Sequence, residues 1–264
     1  MNISKIIRQD REFEAFRECL ASDLSSRTPL PIVINGLSGG ASDAFITEAA
    51  REMISLGASP VLILTPDDTD RSEISDLLAR SGIRTAEYKP RELIFHNISA
   101  SHDVDRERLL VLSRIQNKDL DAVVTTPSAA LGLTMPPNVL ASHSLLLRLG
   151  DEISPKDLAA RLVDMGFAPV DSVESRGQFA RRGGIVDFWG ADTAEPCRVE
   201  FFGDEVDRLA YFDPLSQRVL SQISEISLLP AREVIVDAVA RERIRSEITK
   251  LLTCSFRSSS TTLE

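Results

Sequence analysis

Apolar positions are spaced one way in the first half of the chain and another way in the second. Phe13, Phe16 and Leu20 recur at helical spacing and predict a helix over residues 9–20. A short apolar run at 31–35 predicts a buried strand, a glycine-rich turn follows, and 44–56 returns to helical periodicity. Strand and helix then alternate: strand 61–65, helix 69–81, amphipathic helix 106–116, strand 122–126. Alternation of this kind implies parallel βαβ units and a three-layer α/β domain. The stretch 133–144, with adjacent Pro136 and Pro137, breaks the pattern and is the expected connector.

Past Ser144 the grammar changes. A helix is expected over 154–165, with Ser154 as N-cap, Pro155 at its first position and Gly166 as its stop. Strands and hairpins dominate from 170 to 227, which predicts a smaller α+β domain. From Asp237 the spacing of Ile244, Ile248 and Leu251 is helical again. The expected division is 1–143, 144–230 and 231–264. The Ser/Thr run 258–262 is expected to be disordered, and Leu263 and Glu264 to be an added remnant. The sequence shows no internal repeat.

One predicted strand displays its chemistry. From Cys197 to Phe202 the side chains alternate, so Cys197, Val199 and Phe201 suit a core while Arg198, Glu200 and Phe202 face the other way. Gly203-Asp204 then offers a turn, and 206–212 can return as the partner strand. An exposed phenylalanine beside an arginine on a rigid sheet is the composition of a protein-binding hot spot. The plainer alternative is that Phe202 packs under a neighbouring loop, since single apolar side chains are common on surfaces.

Composition narrows the function classes. Apolar residues make up 43% of the 264 residues and charged residues 27%, ordinary values for a globular protein. Neither a membrane-span-length apolar run nor a signal peptide is present, and Cys19, Cys197 and Cys254 form no metal or disulfide spacing. A cytoplasmic protein with no metal and no cofactor is expected. The net charge of −10 opposes general duplex binding, which needs a basic footprint.

Between the first strand and its helix lies Gly36-Leu37-Ser38-Gly39-Gly40-Ala41-Ser42-Asp43, where a phosphate-binding loop would sit. A working loop starting at Gly36 needs glycine at 41, lysine at 42 and a hydroxyl residue at 43. Ala41, Ser42 and Asp43 stand there instead, so the cation for the β- and γ-phosphates and the hydroxyl for magnesium are both absent. Asp43 adds a negative charge that favours the helix and repels phosphate. Ser42 and Asp43 read as capping residues, and the chain as having no nucleotide-hydrolysing activity.

Other chemistry is thin. His96, His102 and His143 accompany no nucleophile elbow and match no zinc spacing. Asp204, Glu205 and Asp207 lie at a turn, where solvated acids are ordinary. Arg181-Arg182-Gly183-Gly184 could clamp a phosphate or recognise a protein, and the acidic surroundings favour protein. Trp189, the one tryptophan, reads as mostly core.

The blocks GQFARRGGIVDFW, PCRVEFFGDEVD, FDPLSQR and LLPAREV occur in an order and spacing that closely resemble the second domain of the bacterial transcription-repair coupling factors, itself similar to domain 2 of the excinuclease component UvrB. YKPRELIFHN, DRERLLVLSRI, VVTTPSAAL and HSLLLRLGDEISPKDLAARLVDMGF extend the resemblance to about residues 33–236. It implies a degenerate, incomplete RecA- or UvrB-like parallel-sheet domain, then a smaller α+β domain, with the terminal helical segment returning to the first. It also implies a non-catalytic module that binds the excinuclease component UvrA through Arg182, Arg198 and Phe202 and recruits it to stalled RNA polymerase. In that family the ATP-driven DNA translocase and the polymerase contact lie elsewhere in a longer chain, so this sequence reads as a segment of one, or else as a naturally short homologue for which the coupling role would not follow. A fragment of UvrB is the alternative, and a stand-alone nucleotide-binding enzyme a further one; the altered glycine loop opposes both.

Overall fold

The computed structural model describes residues 3–24, 31–91, 98–235 and 238–259. The chain divides into two compact units, Met1–Leu133 and Thr134–Glu264.

In the first unit, helices α1 (Ile3–Arg8), α2 (Arg11–Leu24) and α3 (Gly40–Ser55) precede strand β1 (Val61–Leu64). Helix α4 (Asp68–Arg80), β2 (Thr85–Tyr88), α5 (Ile98–Gln116), β3 (Ala122–Thr125) and the single turn α6 (Pro127–Ala130) follow. The strands form a three-stranded parallel sheet in the order β1-β3-β2. Because side chains alternate along β3, Ala122 and Val124 pack with Ala50, Leu78 and Ile83 on the α3/α4 side. Val123 packs with Val111 and Leu120 on the α5 side. Three layers result, as the periodicity implies. Asp67 starts α4 by accepting the Asp70 N–H at 2.9 Å.

Several expectations fail in this unit. Residues 31–35 are not a strand: they join no sheet among the described residues, and Val33 is 75% exposed. The run instead lines an apolar groove of about 510 Å³ with Phe13, Phe16 and Phe45, whose rings sit 5.3 to 5.7 Å apart. Apolarity marks what seeks cover, but pairing needs a neighbouring strand, which a short run does not specify. Strand β2 is an addition to the expected elements, because its Thr85-Ala86-Glu87-Tyr88 is short and half polar. Helix α5 also starts earlier than residue 106; its Ser, His and Asp residues have weak helix propensity and hide the start.

The second unit opens with α7 (Pro137–Ser142), so the expected connector carries a short helix. Then come β4 (Leu145–Arg148), α8 (Pro155–Asp164), β5 (Ala168–Pro169), β6 (Gln178–Arg182), β7 (Ile185–Phe188), β8 (Cys197–Phe202), β9 (Glu205–Phe212), β10 (Val219–Ile223), β11 (Glu225–Leu228) and α9 (Ala238–Ser259). Six strands form a sheet ordered β10-β9-β8-β7-β6-β5, antiparallel except for the β5–β6 pair; β4 and β11 pair separately. Helix α8 begins and ends as read: Ser154 Oγ accepts the Asp157 N–H at 3.0 Å, and Gly166 follows with φ of 86°. Its Leu158 and Leu162 meet Leu145, Leu147, Ile226 and Leu228 over one face of the large sheet, against Val186, Phe188, Val199 and Leu209. Strand β4 is a further addition to the expected elements.

The expected disorder of 258–262 is corrected at Ser258 and Ser259, which end α9; residues 260–264 lie outside the described residues. His96 also lies outside them, as do the side chains of His102 and Cys254. No helix among the described residues is long and apolar enough to cross a membrane.

Candidate protein-binding face

The face of the large sheet turned away from the α8 core is set by register. Asp187 on β7 stands opposite Arg198 on β8, which stands opposite Ala210 on β9. Arg182 closes β6 and pairs with Ile185 across the Gly183-Gly184 turn, where Gly183 takes φ of 60°, a region closed to most L side chains. Alternation along β8 puts Arg198, Glu200 and Phe202 on this same side.

Asp187 joins the two arginines. Its side chain is 1% exposed and accepts Arg198 Nε at 2.7 Å on Oδ1. Its Oδ2 accepts Arg198 Nη2 at 2.9 Å and Arg182 Nη2 at 2.8 Å. Arg198 is held further: Nη2 donates to Gln217 Oε1 at 2.7 Å, and its guanidinium lies 4.4 Å from the centre of the Phe212 ring. The hydrogen bond with Asp187 holds the Arg198 guanidinium above its ordinary pKa, against the opposing effect of burial.

Exposure separates the three residues singled out from the sequence. Phe202 is 81% exposed, which removes the reading in which it packs under a loop. The Arg182 side chain is 52% exposed. Arg198 is less open than its place on this face suggests: its side chain is only 16% exposed, because Asp187, Gln217 and Phe212 enclose it. Phe202 pairs with Glu205 across the Gly203-Asp204 turn, with Gly203 at φ of 65°. Glu200 opposes Arg208 and Phe201 opposes Val206, so Asp207 is an extra residue in β9, a bulge that bends the hairpin beside Phe202.

Asp187 is the site residue that sequence reasoning misses. A signal was available: an acid between Val186 and Phe188 in a strand whose alternation turns it away from the core. What the sequence lacks is register, which alone brings it opposite Arg198.

The remaining candidates are structural. Trp189 is half-buried rather than core; Arg176 lies 5.1 Å over its ring, and its Nε1 donates to Thr193 O at 3.4 Å. His143 Nδ1 sits 2.9 Å from Val139 O, a local helix-end contact. Among the described residues no group of acids, histidines and cysteines could hold a metal ion, Asp204, Glu205 and Asp207 included. Cys19 is exposed, whereas burial pushes the Cys197 thiol up to about 12.

The glycine loop leads into α3 with Gly39 as N-cap at φ of 52° and no side-chain cap. Gly36 also takes positive φ, 86°, and Gly40 opens the helix. Ser42 and Asp43 are therefore not caps; they lie inside the first turn, because two glycines let the helix begin earlier. The adjacent cleft of about 540 Å³ is lined by Asp43, Asp70, Glu73 and Asp76, with Arg80 the basic residue among its lining. Such a field repels a polyphosphate.

Residues 145–234 match the family described as the UvrB interaction domain, which covers the β4-to-β11 region and all three candidate residues. The chain is 30% identical over 262 residues to the transcription-repair-coupling factor of Bacillus subtilis, covering 97% of this chain and 21% of that protein. It is 28% identical over 219 residues to that of Escherichia coli, covering 81% and 19%. The UvrABC system protein B of Helicobacter hepaticus is 34% identical over 165 residues, covering 61% and 24%. The chain thus spans about a fifth of the length of the curated relatives it matches.

Proposed function

We propose that this chain, whose residues 145–234 carry the match to the UvrB interaction domain, is a UvrB-like module that binds the excinuclease component UvrA, and that it does so through the face bearing Arg182 and Phe202. The observation that carries the reading is Phe202, a phenylalanine 81% exposed at a hairpin turn, on the same sheet face as a half-exposed arginine. Exposed aromatic and arginine side chains of this kind dominate the energetics of protein interfaces. Arg182 gives one nitrogen to Asp187 and keeps the rest of its planar fork for a carboxylate of a partner.

The chain itself performs no catalysis in this reading. Position 42 is serine where a nucleotide site needs lysine, and four carboxylates line the cleft beside it. Within a longer coupling factor the module recruits UvrA to stalled RNA polymerase, and contacts to polymerase and DNA belong to other parts of that protein. The acidic cleft and the absent lysine weigh against the alternative of an ATP-dependent fragment of UvrB.

The test is capture of purified UvrA by the immobilised chain, compared between wild type and Phe202→Ala. Retention by the wild type and its loss in the variant is the expected result. Equal retention by both, or none by the wild type, overturns the reading.

A further inference from the structure

The three side chains on this face do not share one task. Two arginines converge on one carboxylate, so the cluster carries a single net positive charge. Its members differ sharply in access: Asp187 is 1% exposed, Arg198 16% and Arg182 52%. Arg198 directs Nε and Nη2 to Asp187, sends Nη2 to Gln217 as well, and lies over Phe212. Arg182 gives Asp187 a single bond, from Nη2.

We infer that Asp187 is a positioning residue of the interface: braced by Arg198, it holds Arg182 in the orientation that accepts one carboxylate of the partner. The inference rests on the proposed binding of UvrA and deepens it, since it assigns Arg182 to contact and Arg198 to support. An arginine side chain loses several rotatable degrees of freedom when it docks, and a fixed internal acceptor removes much of that cost before the partner arrives. A second carboxylate would meet Asp187, whose Oδ2 already accepts from both arginines.

A positioning role predicts coupling that a merely structural role does not. Asp187→Asn keeps the side-chain shape and removes the charge. In the full chain it is expected to weaken binding of purified UvrA by about tenfold, and by less than about twofold when Arg182 is already alanine. Equal losses in the two backgrounds overturn the proposal, as does wild-type affinity in Asp187→Asn. If that variant does not fold, the wild-type chain still decides the matter. Nitrogen NMR of its guanidinium groups is expected to show separate Nη resonances for Arg182, as slowed rotation about Cζ–Nε requires. A single averaged signal, as for a freely solvated arginine, overturns the proposal. Failure of the parent reading looks different: Phe202→Ala and Arg182→Ala then both bind as wild type, which overturns this inference with it. Failure of the positioning role alone leaves Phe202→Ala impaired.

Discussion

Arg198 reaches across the β7–β8 ladder to its register partner Asp187 and holds both carboxylate oxygens, at 2.7 and 2.9 Å. The carboxylate is buried to 1% exposure, so this fork and the Arg182 bond stand in for the water it lacks. Removing Arg198 leaves a buried carboxylate with only the Arg182 bond in place of three arginine bonds, which costs more than the pair contributes by forming.

Arg198→Ala is accordingly expected to lower the stability of the second unit by about 3 kcal/mol. Arg182→Ala, at a half-exposed position, should change it by less than about 1 kcal/mol. Urea unfolding of the two variants checks the ranking, and equal midpoints contradict it. Loss of partner binding in Arg198→Ala then reports lost support as much as a lost contact.

Phe202→Ala is expected to melt with the wild-type protein, because 81% of that residue already faces water. Its affinity for UvrA should fall about thirtyfold, the effect of losing about 2 kcal/mol at an aromatic anchor. Calorimetry of folding and of binding on one preparation separates the effects. A large fall in melting temperature contradicts the assignment.

Mg-ATP should give no measurable heat when titrated into the chain, since Ser42 replaces the phosphate-binding lysine and Asp43, Asp70, Glu73 and Asp76 line the cleft. A dissociation constant in the low micromolar range would falsify the non-nucleotide reading.

The thiols should separate by reactivity. Cys197 is buried, its thiol pushed up to about 12, so it remains protonated at neutral pH and closed to alkylating reagents. Cys19 is exposed and should react. Peptide mapping after brief iodoacetamide treatment at mildly alkaline pH is the check: modified Cys197 in folded protein contradicts the burial.

Asp213 should contribute a pH dependence of known sign. The Ser216 N–H at 2.6 Å, and then the Leu215 N–H at 2.9 Å, hold its carboxyl below the usual carboxylate value. A depressed acid stabilises the fold fully above its unfolded value of about 4, and that stabilisation disappears as pH falls through the lower folded value. The stability difference between wild type and Asp213→Asn should therefore be constant near neutrality and shrink in acid below about pH 4. A difference that grows on acidification contradicts the sign. The turn also carries Gln217, which caps Arg198, so acid should loosen that cover as well.

Where side-chain period and cap chemistry agree, the fold is legible in the sequence. Helix α8 can be read from Ser154, Pro155 and Gly166, and the β8–β9 hairpin from the alternation of 197–202 and its glycine turn. Phe202 follows from that alternation. Asp187 does not, since finding its partner needs the β7–β8 register, which no local pattern encodes. The same limit explains the exposed run 31–35, where apolarity suggests a strand but no sheet neighbour among the described residues receives it. Sharing a face with Phe202 makes Arg198 look open to a partner. The residues that enclose it, Phe212 and Gln217, arrive from the end of the next strand and the loop beyond it.

The three-stranded sheet of the first unit leaves β1 at its rim with Leu62 and Leu64 exposed on one side, near the length at which a sheet covers itself poorly. The chain's net charge of −10 keeps copies apart while that repulsion is long-ranged. Added salt shortens its reach to a few ångströms and strengthens apolar attraction. Colloidal behaviour thus acquires an expected direction: dilute buffers should keep molecules dispersed, and sulfate or high ionic strength should favour apolar association. If Leu62 and Leu64 contribute, light scattering against salt should be flatter for a chain in which both are replaced by threonine.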